Sequence, residues 1–106
     1  MSRGGPFKVK IAGEIFEAED VSALGVQDLV FAPAEAERLL LHLKDNRIVV
    51  LGGDILVESQ GELRFSGDNW YADGKDVSEA YDAAVAYLEK CKTWYKNDKY
   101  FVGIVF

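Results

Sequence analysis

The sequence predicts one small α+β domain, with a mostly antiparallel sheet of about four to six strands and two main helices. The most hydrophobic and β-prone stretch, residues 47–63 (RIVVLGGDILVESQGEL), lies mid-chain, and we expect it to form the central hairpin. A helical pattern lies on either side of it, and shorter β-like runs close both ends of the chain. The length of 106 residues suits a single domain spanning 1–106, of which we expect 1–6 to be loose.

The N-terminal third predicts short strands. Apolar and basic residues alternate over 7–11, as in a half-buried strand, Gly13 turns the chain, and 14–18 can form a second strand. The stretch 21–31 has a weak helical pattern that Gly25 interrupts. Its last three residues are equally compatible with a short strand before Pro33.

Two amphipathic helices are predicted around the central stretch. The first runs from Pro33, which suits the first helical turn, to Asp45, and Asn46 is expected to take a left-handed cap. The second begins with a D-x-x-E pattern, Asp76 to Glu79, that resembles a capping box, and it continues to about residue 95. Each helix carries an apolar stripe, and the single Cys91 lies on the stripe of the second helix.

The central stretch leaves one choice open. After a predicted strand at 47–51, the diglycine Gly52-Gly53 could be a two-residue hairpin loop or a bend within one long strand. We favour the bend, because Ser59-Gln60-Gly61 is itself a good turn between strands at 54–58 and 62–65. In that hairpin Ile55 and Val57 are expected on one face, with Leu63 and Phe65 pairing across from them. The last run, 100–106, is apolar enough to be a central strand.

Charge and composition exclude several classes of function. The net charge of −6 argues against nucleic-acid binding, which needs clustered Lys and Arg, and it favours a basic partner or simple solubility. No apolar run reaches the roughly 18 residues of a membrane span, and no secretory signal is visible, so a cytoplasmic protein is expected. One cysteine and one histidine, His42, on different helices indicate neither a metal site nor a catalytic pair. No cofactor motif and no recognised catalytic motif is present, so an enzyme is not expected.

Three sets of residues stand out as candidate partner-binding residues: three acids, an aromatic pair and Asp54. Residues 11–37 contain seven acids and no Lys or Arg, which indicates either a solvated surface or a face that meets a basic protein; we select Glu17, Glu19 and Asp20 from it. Trp70 and Tyr71 are adjacent strand formers that should face opposite sides, so one can enter the core while the other reaches solvent or a partner. Asp54, beside the two glycines, could accept backbone hydrogen bonds or belong to a site.

The order of these features resembles a known family. A helix, the run IVVLGGDIL, a hairpin, NWY, an amphipathic helix and an aromatic-apolar strand are similar to the bacterial polymorphic-toxin immunity proteins catalogued as immunity protein forty. The resemblance covers about residues 31–106, and its most specific parts are Gly52-Gly53-Asp54 and Asn69-Trp70-Tyr71. It implies a small α+β fold and a non-enzymatic role, in which the protein binds and neutralises a cognate toxin domain. The acidity of the chain fits a toxin with a basic surface.

Three functional hypotheses follow from the sequence. The first is a toxin-neutralising binding protein, and the second is an adaptor domain that binds some other protein. The third is a small-molecule-binding or enzymatic α+β domain that uses Asp54 and the nearby aromatic residues. The oligomeric state is left open by the sequence.

Overall fold

A computed structural model of the chain describes residues 5–21, 24 and 29–106. These residues form six strands in two antiparallel sheets, together with two helices. The N-terminal sheet is the hairpin β1–β2, and the main sheet has the strand order β3-β6-β4-β5. The elements in chain order are β1 Phe7–Ile11, β2 Glu14–Ala18, β3 Leu29–Phe31, α1 Pro33–Asp45, β4 Gly52–Ser59, β5 Glu62–Tyr71, α2 Val77–Trp94 and β6 Tyr100–Val105.

The N-terminal hairpin forms where the alternating pattern predicts it. Ala12 and Gly13 both adopt positive φ angles, 46° and 85°, and turn β1 into β2. Just after β2, Glu19 N–H donates to the carbonyl of Val30, 2.7 Å away, so the hairpin leads directly to β3. The strand interpretation of 29–31 is therefore correct. The weak helical pattern before it falls mostly on 22–23 and 25–28, which lie outside the described residues, as do residues 1–4 of the segment expected to be loose.

Helix α1 has the predicted bounds, but its end differs from the prediction. Asn46 has φ −96°, and the left-handed residue is Arg47, with φ 58°. Ile48 N–H then donates to the Leu43 carbonyl at 2.8 Å, which closes a Schellman-type cap. This cap occupies the chain just after the helix, so the predicted strand at 47–51 is wrong. The chain joins the main sheet only at Leu51, whose N–H donates to the carbonyl of Val105 at 2.8 Å.

The hairpin β4–β5 confirms the predicted turn and corrects the predicted bend. Gln60 and Gly61 form the two-residue turn with φ 54° and 80°. The two glycines are the first residues of β4, and the irregularity lies further along, since from Asp54↔Asn69 to Leu56↔Phe65 β4 advances two residues while β5 advances four. The extra residues of β5 carry the bulge, in the segment where Gly67 has φ 93°. The hairpin is also less central than predicted, because β5 is an edge strand.

The pairing of side chains in this hairpin also differs from the prediction. The tight turn pairs Ser59 with Glu62, and the next pairs then place Leu63 opposite Glu58 and Phe65 opposite Leu56. Leu63 therefore shares a face with Leu56, and Ile55 and Val57 belong to the other face. A two-residue turn fixes this register, because shifting it by one residue would exchange the two faces of the sheet.

Each face of the main sheet carries a hydrophobic cluster. The larger cluster lies between the sheet and both helices, and the N-terminal hairpin contributes Phe16 to it. The smaller cluster lies on the opposite face, which we call the helix-free face, and consists of Val21, Val30, Leu56, Leu63 and Phe101. Strand β6 is central, as its apolar sequence predicts, and four of its six residues are buried.

The second helix starts at the predicted capping box and ends one residue before the predicted end. Glu79 N–H donates to Asp76 Oδ1 at 2.8 Å, and Asp76 N–H donates to Glu79 Oε1 at 3.2 Å. The helix packs on β5 through Tyr87, whose ring contacts that of Trp70, and the chain just after the helix adds Tyr95, which is buried and hydrogen-bonded to Ser66 and Asp68. This packing places α2 behind the end of β5 that carries Trp70.

Candidate functional site: a cleft at the glycine end of the sheet

The two most specific sequence features, Gly52-Gly53-Asp54 and Asn69-Trp70-Tyr71, are neighbours in the structure. In the antiparallel register Gly52 lies opposite Tyr71, and Gly53 lies opposite Trp70. The third pair is Asp54 with Asn69. The two motifs, which 14 intervening residues (55–68) separate in the chain, are thus one structural unit at the end of the main sheet.

Trp70, together with the Gly103 carbonyl of β6, leaves no room for a side chain at either position of the diglycine. A Cβ atom on Gly53 would overlap the carbonyl oxygen of Gly103 and lie 2.5 Å from Cζ3 of the Trp70 ring. A Cβ atom on Gly52 would overlap the Trp70 carbonyl oxygen, and its φ of +151° is one that other residues rarely adopt. The indole can therefore lie flat against the backbone of β4. Its buried N–H has no hydrogen-bond partner among the described residues.

The two aromatic residues of the motif face opposite sides of the sheet, as predicted. Trp70 is 6% exposed and packs on Tyr87, with ring centroids 5.3 Å apart. Tyr71 is 77% exposed, the largest fraction among the exposed large hydrophobic residues of the described chain. Successive residues of a strand point to opposite faces, so burial of the tryptophan on the helix side holds the tyrosine out on the helix-free face.

A cleft with a volume of about 290 Å³ opens beside this unit. The glycines contribute only backbone to it, while Leu51, Val105 and Tyr71 are exposed apolar side chains along it. Two carboxylates, those of Asp54 and Asp73, also line it. Its full lining is Leu51, Gly52, Gly53, Asp54, Asn69, Trp70, Tyr71, Asp73 and Val105.

The sequence-selected acids Glu17, Glu19 and Asp20 lie elsewhere. Glu17 is on β2, and Glu19 pairs with Val30 on β3, which is the edge of the main sheet opposite to β5. The backbone N–H of Glu17 donates to the carboxylate of Glu35 on α1 at 2.8 Å. The structure therefore does not bring these three acids together with Asp54, and the chain carries two separate acidic regions. The sequence did not single out Asp73, whose only signal was its place two residues after Tyr71.

Three groups between α2 and the sheet have raised pKa values, the Cys91 thiol and the hydroxyls of Tyr87 and Tyr95. Burial, with a smaller effect of the Asp68 charge, raises the pKa of the Cys91 thiol to about 11. Burial is also the main cause that raises the pKa of Tyr87 to about 12, and Asp68 adds to it. Tyr95 donates its hydroxyl hydrogen bond to Asp68, and burial raises its pKa. These groups pack and hydrogen-bond the helix to the sheet.

His42 is held in a structural environment between α1 and the N-terminal hairpin. Its Nε2 lies 3.0 Å from the Ile11 carbonyl and 3.1 Å from the Ala12 carbonyl, and the ring packs on Phe16. Within residues 5–21, 24 and 29–106, no group of three or more His, Cys, Asp or Glu side chains could hold a metal ion. In the same part of the chain, no helix is long and apolar enough to cross a membrane.

Comparison with known proteins identifies a family. Residues 20–106 match the family model described as Immunity protein 40. The match covers more than half of the chain and includes every residue that lines the cleft. No curated protein and no solved structure matches the chain.

Proposed function

Since the chain belongs to the Immunity protein 40 family, we propose that it binds a cognate bacterial toxin domain and neutralises it without catalysing a reaction. Family membership is the observation that carries this proposal. The structure supports a binding role, because the site at the family-specific motifs is a cleft with an exposed tyrosine, and Tyr is enriched among the residues that dominate protein interfaces. We place its action in the cytoplasm of the cell that it protects.

The partner in this proposal is a toxin domain with a basic surface. The net charge of −6 supports it, since complementary charge speeds the association of two proteins. Tyr71, Asp54 and Asp73 would form the contact at the cleft, and Trp70 would act from the core by holding Tyr71 in place. The acids Glu17, Glu19 and Asp20, at the other edge of the sheet, would act mainly by attracting the basic partner.

Titration of the toxin tests the proposal. The toxin domain encoded beside this gene is assayed for its own activity while the purified protein is added in increasing amounts. A binding protein inhibits in proportion to the amount added, so inhibition should be complete near one equivalent and should reverse when the complex is dissociated. An enzyme that modifies the toxin would instead inactivate many equivalents irreversibly. Undiminished toxin activity at excess protein would contradict the proposal.

A further inference from the structure

The helix-free face of the sheet has an unusual order of side chains next to the cleft. Antiparallel pairing aligns Val105, Gly52 and Tyr71 in one row across β6, β4 and β5. The row next to it consists of Gly103, Asp54 and Asn69. A Cβ atom on Gly103 would contact Val30 and Leu56, which belong to the cluster on the helix-free face, and paired residues share a face. Both rows therefore face away from the helices.

This order produces a trough rather than a flat surface. Gly52 is buried and has no side chain, while its two neighbours in the row do, so no side chain separates Val105 from the ring of Tyr71 where they line the cleft. Val105 is 38% exposed, and Leu51 next to it is 43% exposed. Substitution cannot close the trough at Gly52 without a collision with the Trp70 carbonyl oxygen. The backbone geometry of the motif thus keeps the trough open.

The chemistry of the trough is apolar along its walls and acidic beside them. Tyr71, Val105 and Leu51 offer apolar surface, and Asp54 and Asp73 offer carboxylates. Lysine and arginine combine an aliphatic stem with a cationic head, and they bury the stem on apolar surface while the head meets a charge. A cation also gains from contact with a tyrosine ring and from hydrogen bonds to carboxylates. A neutral or acidic side chain would match only part of this lining.

We propose that the trough receives one lysine or arginine side chain of the toxin, with its stem between Tyr71 and Val105 and its head at Asp54 and Asp73. This inference rests on the proposed function and adds to that function the chemistry of the central contact. The cleft has a volume of about 290 Å³, just below the range of about 300–1,000 Å³ that is usual for pockets that hold whole small molecules. It is therefore of a size for a single side chain. The net charge of −6 favours a basic partner over a second copy of this chain.

Double-mutant cycles with the purified toxin domain test the inference. Each lysine and arginine on the toxin surface is replaced by Ala, and each variant is measured against Asp73→Asn and Tyr71→Ala of this protein. One cationic residue should couple to both positions, and Asp73→Asn alone should weaken binding about tenfold. Tyr71→Phe should retain most of the affinity, because it keeps the ring. Asp82→Asn, at an exposed position of α2, is the matched control and should leave the affinity unchanged.

The outcomes separate the inference from the function on which it rests. If the toxin binds with wild-type affinity to Asp73→Asn and Tyr71→Ala, or if no cationic residue of the toxin couples to them, the inference is wrong and the proposed function stands. If the wild-type protein does not bind the toxin at all, both fail. Self-association that Tyr71→Ala abolishes would also overturn the inference, because a second copy would then occupy the trough. Asp73 and Tyr71 are exposed, and an unchanged unfolding midpoint would establish that both variants fold.

Discussion

The indole ring of Trp70 lies directly over the backbone of Gly53, its cross-strand partner on β4. A Cβ atom at Gly53 would lie 2.5 Å from Cζ3 of that ring, closer than side chains approach each other in folded proteins. The contact joins the two motifs Gly52-Gly53-Asp54 and Asn69-Trp70-Tyr71, because one supplies the space and the other supplies the ring. The contact also fixes the position of β5 against β4, and β5 is the strand that carries the exposed Tyr71.

The Gly53 contact predicts a specific loss of stability. Gly53→Ala should lower the free energy of unfolding by about 1–3 kcal/mol, since the new methyl group forces the ring or the strand to shift. Gly103→Ala is the matched control, because its methyl group would find its nearest neighbours at 3.6–3.8 Å, an ordinary contact distance. Urea unfolding of both variants measures the difference. Equal stabilities would show that the ring does not depend on the glycine.

The ion pair between Glu35 and Arg38 predicts a pH dependence of stability. The hydrogen bond from Arg38 lowers the pKa of Glu35 below 4.5, and the N–H of Glu17 contributes, while burial opposes. A lowered pKa in the folded state means that this stabilisation is present above pH 4.5 and is lost as the pH falls through the lower folded value. Glu35→Gln should therefore be less stable than the wild type at pH 7 and should approach it at pH 3.

Urea unfolding at the two pH values measures this effect, and Asp82→Asn serves as a control at an exposed position of α2. A gap between Glu35→Gln and the wild type that is the same at both pH values would show that the contribution is not electrostatic.

Arg38 also bonds to Glu14 Oε2 at 2.9 Å and to the Ile15 carbonyl at 2.7 Å, so Arg38→Met should loosen the β1–β2 hairpin first. Amide hydrogen exchange should then accelerate in β1 and β2 before the main sheet is affected.

Cys91 is predicted to be an inert thiol. It is 0% exposed, and burial raises the pKa of its thiol to about 11, so the reactive thiolate is scarce at pH 8. Labelling by a thiol reagent should be slow in the native state and fast in denaturant. The native rate should rise with pH toward 11 as long as the fold is retained. Rapid labelling at pH 8 without denaturant would place the thiol outside the core.

The two acidic regions are predicted to affect toxin binding differently. Replacing Glu17, Glu19 and Asp20 together by their amides should slow association and flatten its dependence on salt, because distant charges act by steering. Tyr71→Ala should mainly speed dissociation, because a short-range aromatic contact exists only in the docked complex and so affects how long the complex lasts. Stopped-flow or surface-based kinetics at two salt concentrations distinguish the two effects. If association does not respond to salt or to the amides, the acids at 17–20 serve solubility alone.

The parts of the structure that depend on local sequence were predictable. The first helix has the predicted bounds because Pro33 and the apolar stripe are local signals, and the capping box of α2 is formed by residues three apart. The turn at Gln60-Gly61 is likewise set by the residues within it. The prediction failed where a local signal was ambiguous: the β-prone run at 47–51 is held by the cap of α1 and does not pair as a strand.

The sequence by itself determined the helices, the hairpin turn, the acidity and the two motifs Gly52-Gly53-Asp54 and Asn69-Trp70-Tyr71. Only the tertiary structure decided that these motifs face each other, that Trp70 is buried while Tyr71 is exposed, and that Asp73 joins Asp54 at the cleft. The physical reason is that the turn at Gln60-Gly61 fixes the register only as far as the bulge in β5, and the pairing beyond the bulge and the choice of buried face depend on packing against distant elements. The ring of Tyr87 on α2 and the bulge in β5 contribute to that choice, and neither effect is encoded near the glycines.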